Sequence, residues 1–214
     1  MLVGERMRRN PVTVTEDVGI GEALRIMHEN KVRRLPVLNR HGKLVGIVSE
    51  KDLLQASPSP ATSLSIFELN YLLSKLTVKK VMTSPVITVD EQTPLEEAAR
   101  IMADNRIGGL PVMRGDELVG IITETDLFKI FLELLGARDH GVRLTLEVPD
   151  RRGLLADLTS AIAGIGGNIV SLGTFAGNEP GTALVTVKVA DVTEQSLLEA
   201  IAHIDGRVID IRTT

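Results

Sequence analysis

The chain contains no cysteine and no tryptophan, and it has only one tyrosine and four phenylalanines among 214 residues. The lack of cysteine excludes disulfides, thiolate metal sites and cysteine nucleophiles. So few aromatic side chains disfavour a stacking surface for single-stranded nucleic acid. No apolar run approaches the roughly 18 residues of a transmembrane helix, and the first residues, Met1 to Arg6, lack the apolar segment of a signal peptide.

The charge balance is slightly acidic, with 24 Lys and Arg against 28 Asp and Glu, which gives a formal net charge of −4. Nucleic acid and anionic membrane surfaces attract proteins with a basic excess, which this chain does not have. Apolar residues make up 43% of the chain, as in an ordinary globular protein. We therefore expect a cytoplasmic protein without nucleic-acid or membrane partners.

The usual catalytic signatures are missing from the sequence. It has no Gly-x-Ser-x-Gly elbow, Walker loop or His-Glu-x-x-His motif. No two of the four histidines are three or four residues apart, the spacing typical of a metal site on a helix. Gly164 to Gly167 follows a predicted helix and precedes a predicted strand, so it indicates a turn instead of a dinucleotide loop. We predict no catalytic residue, no metal site and no enzymatic activity.

The first two thirds of the chain contain a duplicated module, visible as segments that recur at an offset of 74 or 75 residues. The matching pairs are Glu22–Met27 with Glu97–Met102, Leu35–Val37 with Leu110–Val112, and Leu44–Leu53 with Leu118–Leu127. Helical and strand periodicities predict the order β-α-β-β-α in each copy, with second helices that begin at Asp52 and Asp126 after N-caps at Ser49 and Thr123. One copy is too small to close a core alone, so the two should pack together.

Outside the duplication the chain changes character twice. Two prolines in Ser57-Pro58-Ser59-Pro60 interrupt the helical pattern, and apolar residues then recur at helical spacing between Leu64 and Leu76. This pattern indicates a crossover helix that contacts more than one neighbour, and a contact with a second copy of the chain is an open alternative for one of its apolar sides. After residue 141, the elements predicted from periodicity follow the order β-α-β-β-α-β of a ferredoxin-like fold. The resulting division is module 1 (1–56), linker and crossover helix (57–80), module 2 (81–135), linker (136–141) and C-terminal domain (142–214).

The most informative motif occurs twice, as Ser49-Glu50-Lys51-Asp52 and as Thr123-Glu124-Thr125-Asp126. One interpretation is a capping box, in which the hydroxyl and the carboxylate satisfy free N–H groups at a helix start. The other is a ligand site, because the same groups suit a phosphate and the diol of a ribose. Spacing alone leaves both interpretations open.

Residues 6 to 129 resemble a tandem pair of CBS domains, the Bateman module that binds adenosyl ligands. The resemblance rests on Val32 to Val37 with Gly46-Ile47-Val48-Ser49-x-x-Asp52, and on Ile107 to Val112 with Gly120-Ile121-Ile122-Thr123-x-x-Asp126. It implies that Ser49 and Thr123 meet phosphate or ribose, and that Asp52 and Asp126 hold the ribose hydroxyls. The base would lie near Val12, Thr13, Val14 and Val32, or near Val86, Ile87, Thr88 and Ile107. The ligands it implies are AMP, ADP, ATP, S-adenosylmethionine and NAD.

The two implied sites differ in charge. Arg33 and Arg34 stand where several members of the family carry basic phosphate ligands, whereas module 2 has Gly108 and Gly109. Arginine offers bidentate contacts to phosphate, and glycine offers only backbone and space. Alternatively, both arginines are solvated surface charges. The difference predicts one stronger nucleotide site without identifying which.

Residues 142 to 212 resemble an ACT domain, a regulatory fold that often binds amino acids between two copies. Asp150-Arg151-Arg152-Gly153-Leu154-Leu155 matches its first strand-to-helix turn, and Gly167-Asn168-Ile169 matches its helix-to-strand turn. The resemblance implies that Asp150 and Asn168 face an amino-acid effector. Alternatively, Gly153 and Asn168 serve backbone geometry alone. Val148 departs from members that carry a polar ligand residue there.

Two CBS modules followed by one ACT domain are similar to the acetoin-utilisation (AcuB) family, and Gln55 to Ser59 strengthens the similarity. We expect a mixed α/β (α+β) protein that acts as a non-enzymatic sensor of an adenosine nucleotide. It would form a homodimer and regulate a protein that the sequence does not identify. The competing hypothesis is a homodimeric interaction scaffold with no bound ligand. A third, an enzyme acting on a bound nucleotide, finds no positioned base or nucleophile.

Overall fold

A computed structural model of the chain describes residues 1–56 and 76–214. The predicted apolar helix between Leu64 and Leu76, and most of the predicted linker 57–80, lie outside the described residues. The structure divides into two compact units, Met1–Leu127 and Phe128–Thr214.

The two modules of the first unit have the same order of elements, which confirms the predicted β-α-β-β-α pattern. Module 1 consists of β2 (Val14–Thr15), α2 (Ile20–Glu29), β3 (Arg34–Leu38), β4 (Leu44–Ser49) and α3 (Glu50–Ala56). Module 2 consists of β5 (Val89–Asp90), α4 (Leu95–Asn105), β6 (Gly109–Arg114), β7 (Glu117–Thr123) and α5 (Glu124–Leu134), which ends in the second unit. Helices α3 and α5 begin two residues earlier than predicted, directly after the capping hydroxyls.

Corresponding strands pair in the same way in the two modules. Strand β3 runs parallel to β2 and antiparallel to β4, while β6 runs parallel to β5 and antiparallel to β7. Each first helix buries one apolar stripe, as its periodicity predicts. The buried residues are Ile20, Ala23 and Met27 in α2, and Leu95, Ala98 and Met102 in α4.

The N-terminal segment, which precedes module 1 in sequence, packs on module 2. It forms a short helix α1 (Val3–Arg6) and a strand β1 (Arg8–Arg9) that pairs antiparallel with β7. Val3 is fully buried, and its N–H donates to the carbonyl of Thr93 at 2.9 Å. The Met7 side chain lies over Gly120, in the space that a Cβ would fill.

The segment that precedes module 2 packs in turn on module 1. A 3-10 turn (Val78–Lys80) places Val78, which is fully buried, in the core of module 1. Thr83 bridges to Ile47 of β4, and the Met82 side chain lies over Gly46. Each module is therefore completed by the segment that precedes the other one.

The second unit has the predicted order β-α-β-β-α-β. Its elements are β8 (Val142–Pro149), α6 (Leu154–Gly164), β9 (Asn168–Ala176), β10 (Thr182–Ala190), α7 (Glu194–Ile201) and β11 (Arg207–Thr213). They form an antiparallel sheet in the order β11-β8-β10-β9. Alternate residues of β8 are buried against the helices, from Val142 to Val148, together with Leu158, Ile162 and Leu197.

Candidate functional site

A cleft of about 580 Å³ lies between the two modules of the first unit. Its walls combine the start of β3 and the β4–α3 junction of module 1 with three parts of module 2: the segment before β5, the start of β6 and the β7–α5 junction. Eight residues predicted for nucleotide binding line it: Arg33, Arg34, Ser49, Asp52, Val86, Ile87, Ile107 and Gly108. The volume is within the range of small-molecule sites.

Ser49 and Asp52 form a reciprocal cap at the start of α3. Oδ2 of Asp52 accepts hydrogen bonds from the Ser49 N–H at 2.8 Å and from the Ser49 hydroxyl at 2.6 Å. The Asp52 N–H donates to Ser49 Oγ at 3.3 Å. Oδ1 of Asp52 makes no hydrogen bond to a described residue, so it is an available acceptor on the cleft wall.

Thr123 and Asp126 repeat this arrangement in module 2. Oδ2 of Asp126 accepts from the Thr123 N–H at 3.0 Å and from its hydroxyl at 2.6 Å. However, neither residue is among those that line the cleft. The capping interpretation therefore describes both motifs, whereas only the hydroxyl and aspartate of the Ser49 motif also line this cleft. The second nucleotide site remains a prediction.

Arg34 reaches from module 1 across to module 2. Its side chain is half-buried and lies over the backbone of Gly108 and Gly109. A Cβ on Gly108 would collide with Arg34 Nη2 and would be 2.6 Å from Glu124 Oε2. Burial lowers the pKa of the Arg34 guanidinium, while the carboxylates of Glu124 and Asp52 act to raise it.

Three further basic side chains line the cleft: Arg33, Lys51 and Arg106. Arg106 ends α4 in the left-handed conformation, with φ of 54°, as Lys31 does after α2. Neither these three nor Arg34 forms an ion pair within residues 1–56 and 76–214. Apart from Asp52, the acidic lining residues are Glu124 and Glu50, and Glu50 Oε1 is 3.1 Å from His28 Nε2.

Apolar side chains form the remaining wall, from Ile47 in module 1 and from Pro85, Val86, Ile87 and Ile107 in module 2. A molecule bound there would meet this apolar wall, Oδ1 of Asp52, the carboxylate of Glu124 and several cations that form no ion pair with a described residue. These features suit a ligand with a flat apolar part, hydroxyl groups and an anionic group.

Several predicted residues lie elsewhere. Val14 is buried in the core of module 1, and Val12 and Val32 pack against that core. Thr13 and Thr88 are also outside the cleft lining. Their extended sequence pattern does not distinguish the buried face of a strand from the wall of a site, because both are apolar.

Sequence reasoning did not single out Glu124, Arg106 and Lys51 as site residues. Glu124 and Lys51 occur inside the two recognised motifs, and Arg106 matches Lys31 at the 75-residue offset. These matches could have drawn attention to them. Which of these residues face the cleft depends on how the two modules pack against each other, and a sequence repeat does not contain that information.

The CBS domain family matches residues 3–59 and 78–133 of this sequence, which is more than half of it. The chain belongs to the CBS domain family. A second match, to the TTHA0829-like ACT domain, covers residues 140–212. The protein therefore consists of tandem CBS domains followed by an ACT domain, as the sequence predicted. Both are regulatory modules, although some relatives with CBS domains are enzymes.

Curated relatives share the CBS pair in different contexts. An uncharacterized protein of Methanocaldococcus jannaschii, MJ1404, is 35% identical over 133 residues, which are 60% of this chain and 31% of that protein. This chain thus spans about a third of that relative. A CBS domain-containing protein of Dictyostelium discoideum is 30% identical over 136 residues, which are 63% of this chain and 94% of that protein.

Solved structures with the same fold include two that hold adenosine compounds. The CBS pair of MJ0100, in complex with 5'-methylthioadenosine and S-adenosyl-L-methionine, is 30% identical and covers 65% of this chain and 98% of its own, with a TM-score of 0.52. CBSX2 in complex with AMP is 33% identical and covers 61% and 96%, with a TM-score of 0.50. A Vibrio cholerae protein described as an acetoin utilization protein (AcuB) is 32% identical and covers 65% and 96%, with a TM-score of 0.53.

The ACT domain has a cleft of about 680 Å³ at the β8–α6 turn, lined by Asp150, Gly153 and the ends of β9 and β10. Gly153 has φ of 86°, so the turn requires a left-handed residue there. Asn168 and Ile169 lie at the opposite end of the sheet, because Asn168 pairs with Ala190 whereas Pro149 pairs with Thr182. Asp150 and Asn168 are thus roughly 25 Å apart within one chain.

No helix in the described ranges is both long and apolar enough to cross a membrane. The same residues contain no group of three His, Asp or Glu side chains arranged to hold a metal ion. The cytoplasmic location and the homodimer stay predictions.

Proposed function

We propose that this protein is a non-enzymatic regulatory sensor that binds one adenosine ligand in the cleft between its CBS modules. The observation that carries the proposal is Oδ1 of Asp52, which accepts no hydrogen bond from a described residue and lies in the same cleft as an apolar wall and four basic side chains without an ion pair in residues 1–56 and 76–214. Arg33, Lys51 and Arg106 are exposed. Arg34, however, is half-buried and forms no ion pair with a described residue, so an anionic ligand would offset the cost of its partial burial.

The complexes of related CBS pairs support this proposal. The ligands in the MJ0100 and CBSX2 structures, 5'-methylthioadenosine, S-adenosyl-L-methionine and AMP, share adenosine and differ at the 5' group. AMP, ADP, ATP, S-adenosylmethionine and NAD are therefore the candidates for this chain.

Each part of such a ligand has a matching group in the cleft. Asp52 Oδ1 would accept hydrogen bonds from the ribose hydroxyls, while Oδ2 stays occupied by the helix cap. The base would lie against Val86, Ile87 and Ile107. A phosphate would reach Arg34, whose fork of N–H groups suits bidentate contact.

The ACT domain would provide the homodimer interface or bind a second, amino-acid-like effector. In the second case Asp150, which is exposed at the 680 Å³ cleft, would accept the amine. Ligand binding would change the regulated partner's affinity only if the two conformations of the dimer bind the ligand differently.

The test compares Asp52→Asn with Asp126→Asn by isothermal titration of AMP, ADP, ATP, S-adenosylmethionine and NAD. Both variants weaken an equivalent cap, at a cost of about 1 kcal/mol, so Asp126→Asn controls for stability. We expect Asp52→Asn to lower affinity by roughly 10- to 100-fold, since hydrogen bonds to charged groups contribute about 1.5–3 kcal/mol. Asp126→Asn should leave the affinity in this cleft unchanged.

Equal affinity in wild type and Asp52→Asn would contradict the assigned site. If no adenosine compound binds, and mass spectrometry of the denatured protein detects no retained nucleotide, the homodimeric scaffold becomes the better hypothesis. Turnover of ATP or AMP by the purified protein would contradict the non-enzymatic assignment.

A further inference from the structure

The duplication provides the cleft with two equivalent glutamates in different surroundings. Glu50 and Glu124 each follow the capping hydroxyl of their module, and both line the cleft. Glu50 is within 3.1 Å of the exposed His28 ring. Glu124 instead approaches Arg34, and both side chains occupy the space beside Gly108 that a Cβ would fill.

Arg34 and Glu124 are close but not joined. The field of Glu124 acts on the Arg34 guanidinium, yet no hydrogen bond or ion pair within the described part of the chain connects Arg34 to another residue. The guanidinium therefore keeps its donors available, while a negative charge remains beside it. An anion that binds Arg34 gains its attraction and also meets repulsion from Glu124.

This repulsion increases with the charge of the ligand. Each phosphate group beyond the first adds negative charge near the same carboxylate. Arg34, which would hold the phosphate, is half-buried, so solvent screens a charge there less than at the exposed Glu124. A ligand without phosphate does not experience this effect. Glu124 is thus placed to discriminate between ligands by one property, their anionic charge.

We propose that Glu124 is a specificity-determining residue that limits the phosphate charge of the ligand, so that the cleft favours an adenosine monophosphate over the triphosphate. This inference rests on the proposed function, because it requires an adenosine phosphate at Arg34. It assigns to Glu124 a role that its equivalent, Glu50, does not have.

The test measures the affinities of AMP, ATP and 5'-methylthioadenosine by isothermal titration, without added divalent metal and at fixed ionic strength. Wild type should bind AMP more tightly than ATP. Glu124→Gln should raise the affinity for ATP relative to AMP on the order of ten-fold and leave that for 5'-methylthioadenosine unchanged. Glu124→Asp, which keeps the charge, should retain the wild-type preference.

Glu50→Gln is the matched control, because it removes the equivalent charge from the same cleft and should leave the ATP-to-AMP ratio unchanged. Tighter binding of ATP than AMP by wild type, or the same ratio in Glu124→Gln as in wild type, would overturn the inference. If 5'-methylthioadenosine and AMP bind but the ATP-to-AMP affinity ratio is the same in Glu124→Gln as in wild type, the proposed sensor function is supported and this role of Glu124 is contradicted. If none of the three binds wild type, both fail.

Discussion

Val3 and Val78 offer a direct test of the exchanged packing of the two modules. They are equivalent by the 75-residue offset, and both are fully buried. Val→Ala removes two carbon atoms from each site, worth about 1.6 kcal/mol at about 0.8 kcal/mol per buried group, and the cavity adds to this cost. We expect each variant to lose about 2 kcal/mol of unfolding free energy. For 214 residues this lowers the unfolding midpoint by about 4–8 °C.

Hydrogen exchange measured by mass spectrometry locates the effect. Val78→Ala should accelerate exchange in α2 and β3 of module 1, because Val78 belongs to that core. Val3→Ala should accelerate exchange in β7 of module 2, on which the N-terminal segment packs. Val208→Ala, at a site 40% exposed in the ACT domain, is the control and should change little.

Faster exchange in the module that follows each substituted residue in sequence, that is, in α2 for Val3→Ala and in α4 for Val78→Ala, would contradict the exchanged packing. An unchanged midpoint in both variants would refute the burial on which the magnitude depends.

Two further predictions concern stability. Lys31, two residues after the end of α2, has φ of 54°, so Lys31→Gly should relieve left-handed strain and raise the unfolding midpoint by about 2–4 °C, or about 1 kcal/mol, in a thermal melt. In the ACT domain, hydrogen bonds from Arg207 and Arg212 lower the pKa values of Glu147 and Asp210, respectively. This stabilisation is present above the unfolded-state pKa of about 4 and is lost as pH falls through the folded-state values. Arg207→Gln should therefore flatten the loss of stability below about pH 4 in urea titrations, and an unchanged slope would contradict this.

The fold was predictable where a periodic pattern had one physical meaning. The alternation from Val142 to Val148 gave a half-buried strand, and the structure has β8 there. The stripe of Ile20, Ala23 and Met27 gave a helix with one buried face. The packing of each preceding segment on the other module was not predictable. Apolar residues such as Val3 and Val78 indicate that their segment is buried, but they do not indicate which of the two modules it packs against.

The candidate site was likewise predictable within one module but not between the two modules. The Ser49–Asp52 spacing identified groups that meet, since residues three apart at a helix start are neighbours. It could not show that Glu124, 75 residues beyond Ser49, faces the same cleft. The resemblance to CBS domains implies that Val14 lies near the base of the ligand, whereas its side chain is buried in the core of module 1.

The position of Arg34 over Gly108 and Gly109 means that the two halves of the CBS pair are no longer interchangeable. A chain with two copies of module 1 would have arginines where these glycines are, and Arg34 would meet a side chain of its own charge in the space it now occupies. The two glycines of one copy leave room for a long side chain of the other. In this respect the tandem pair resembles a heterodimer joined in one polypeptide, in which further divergence of either half is constrained by the other.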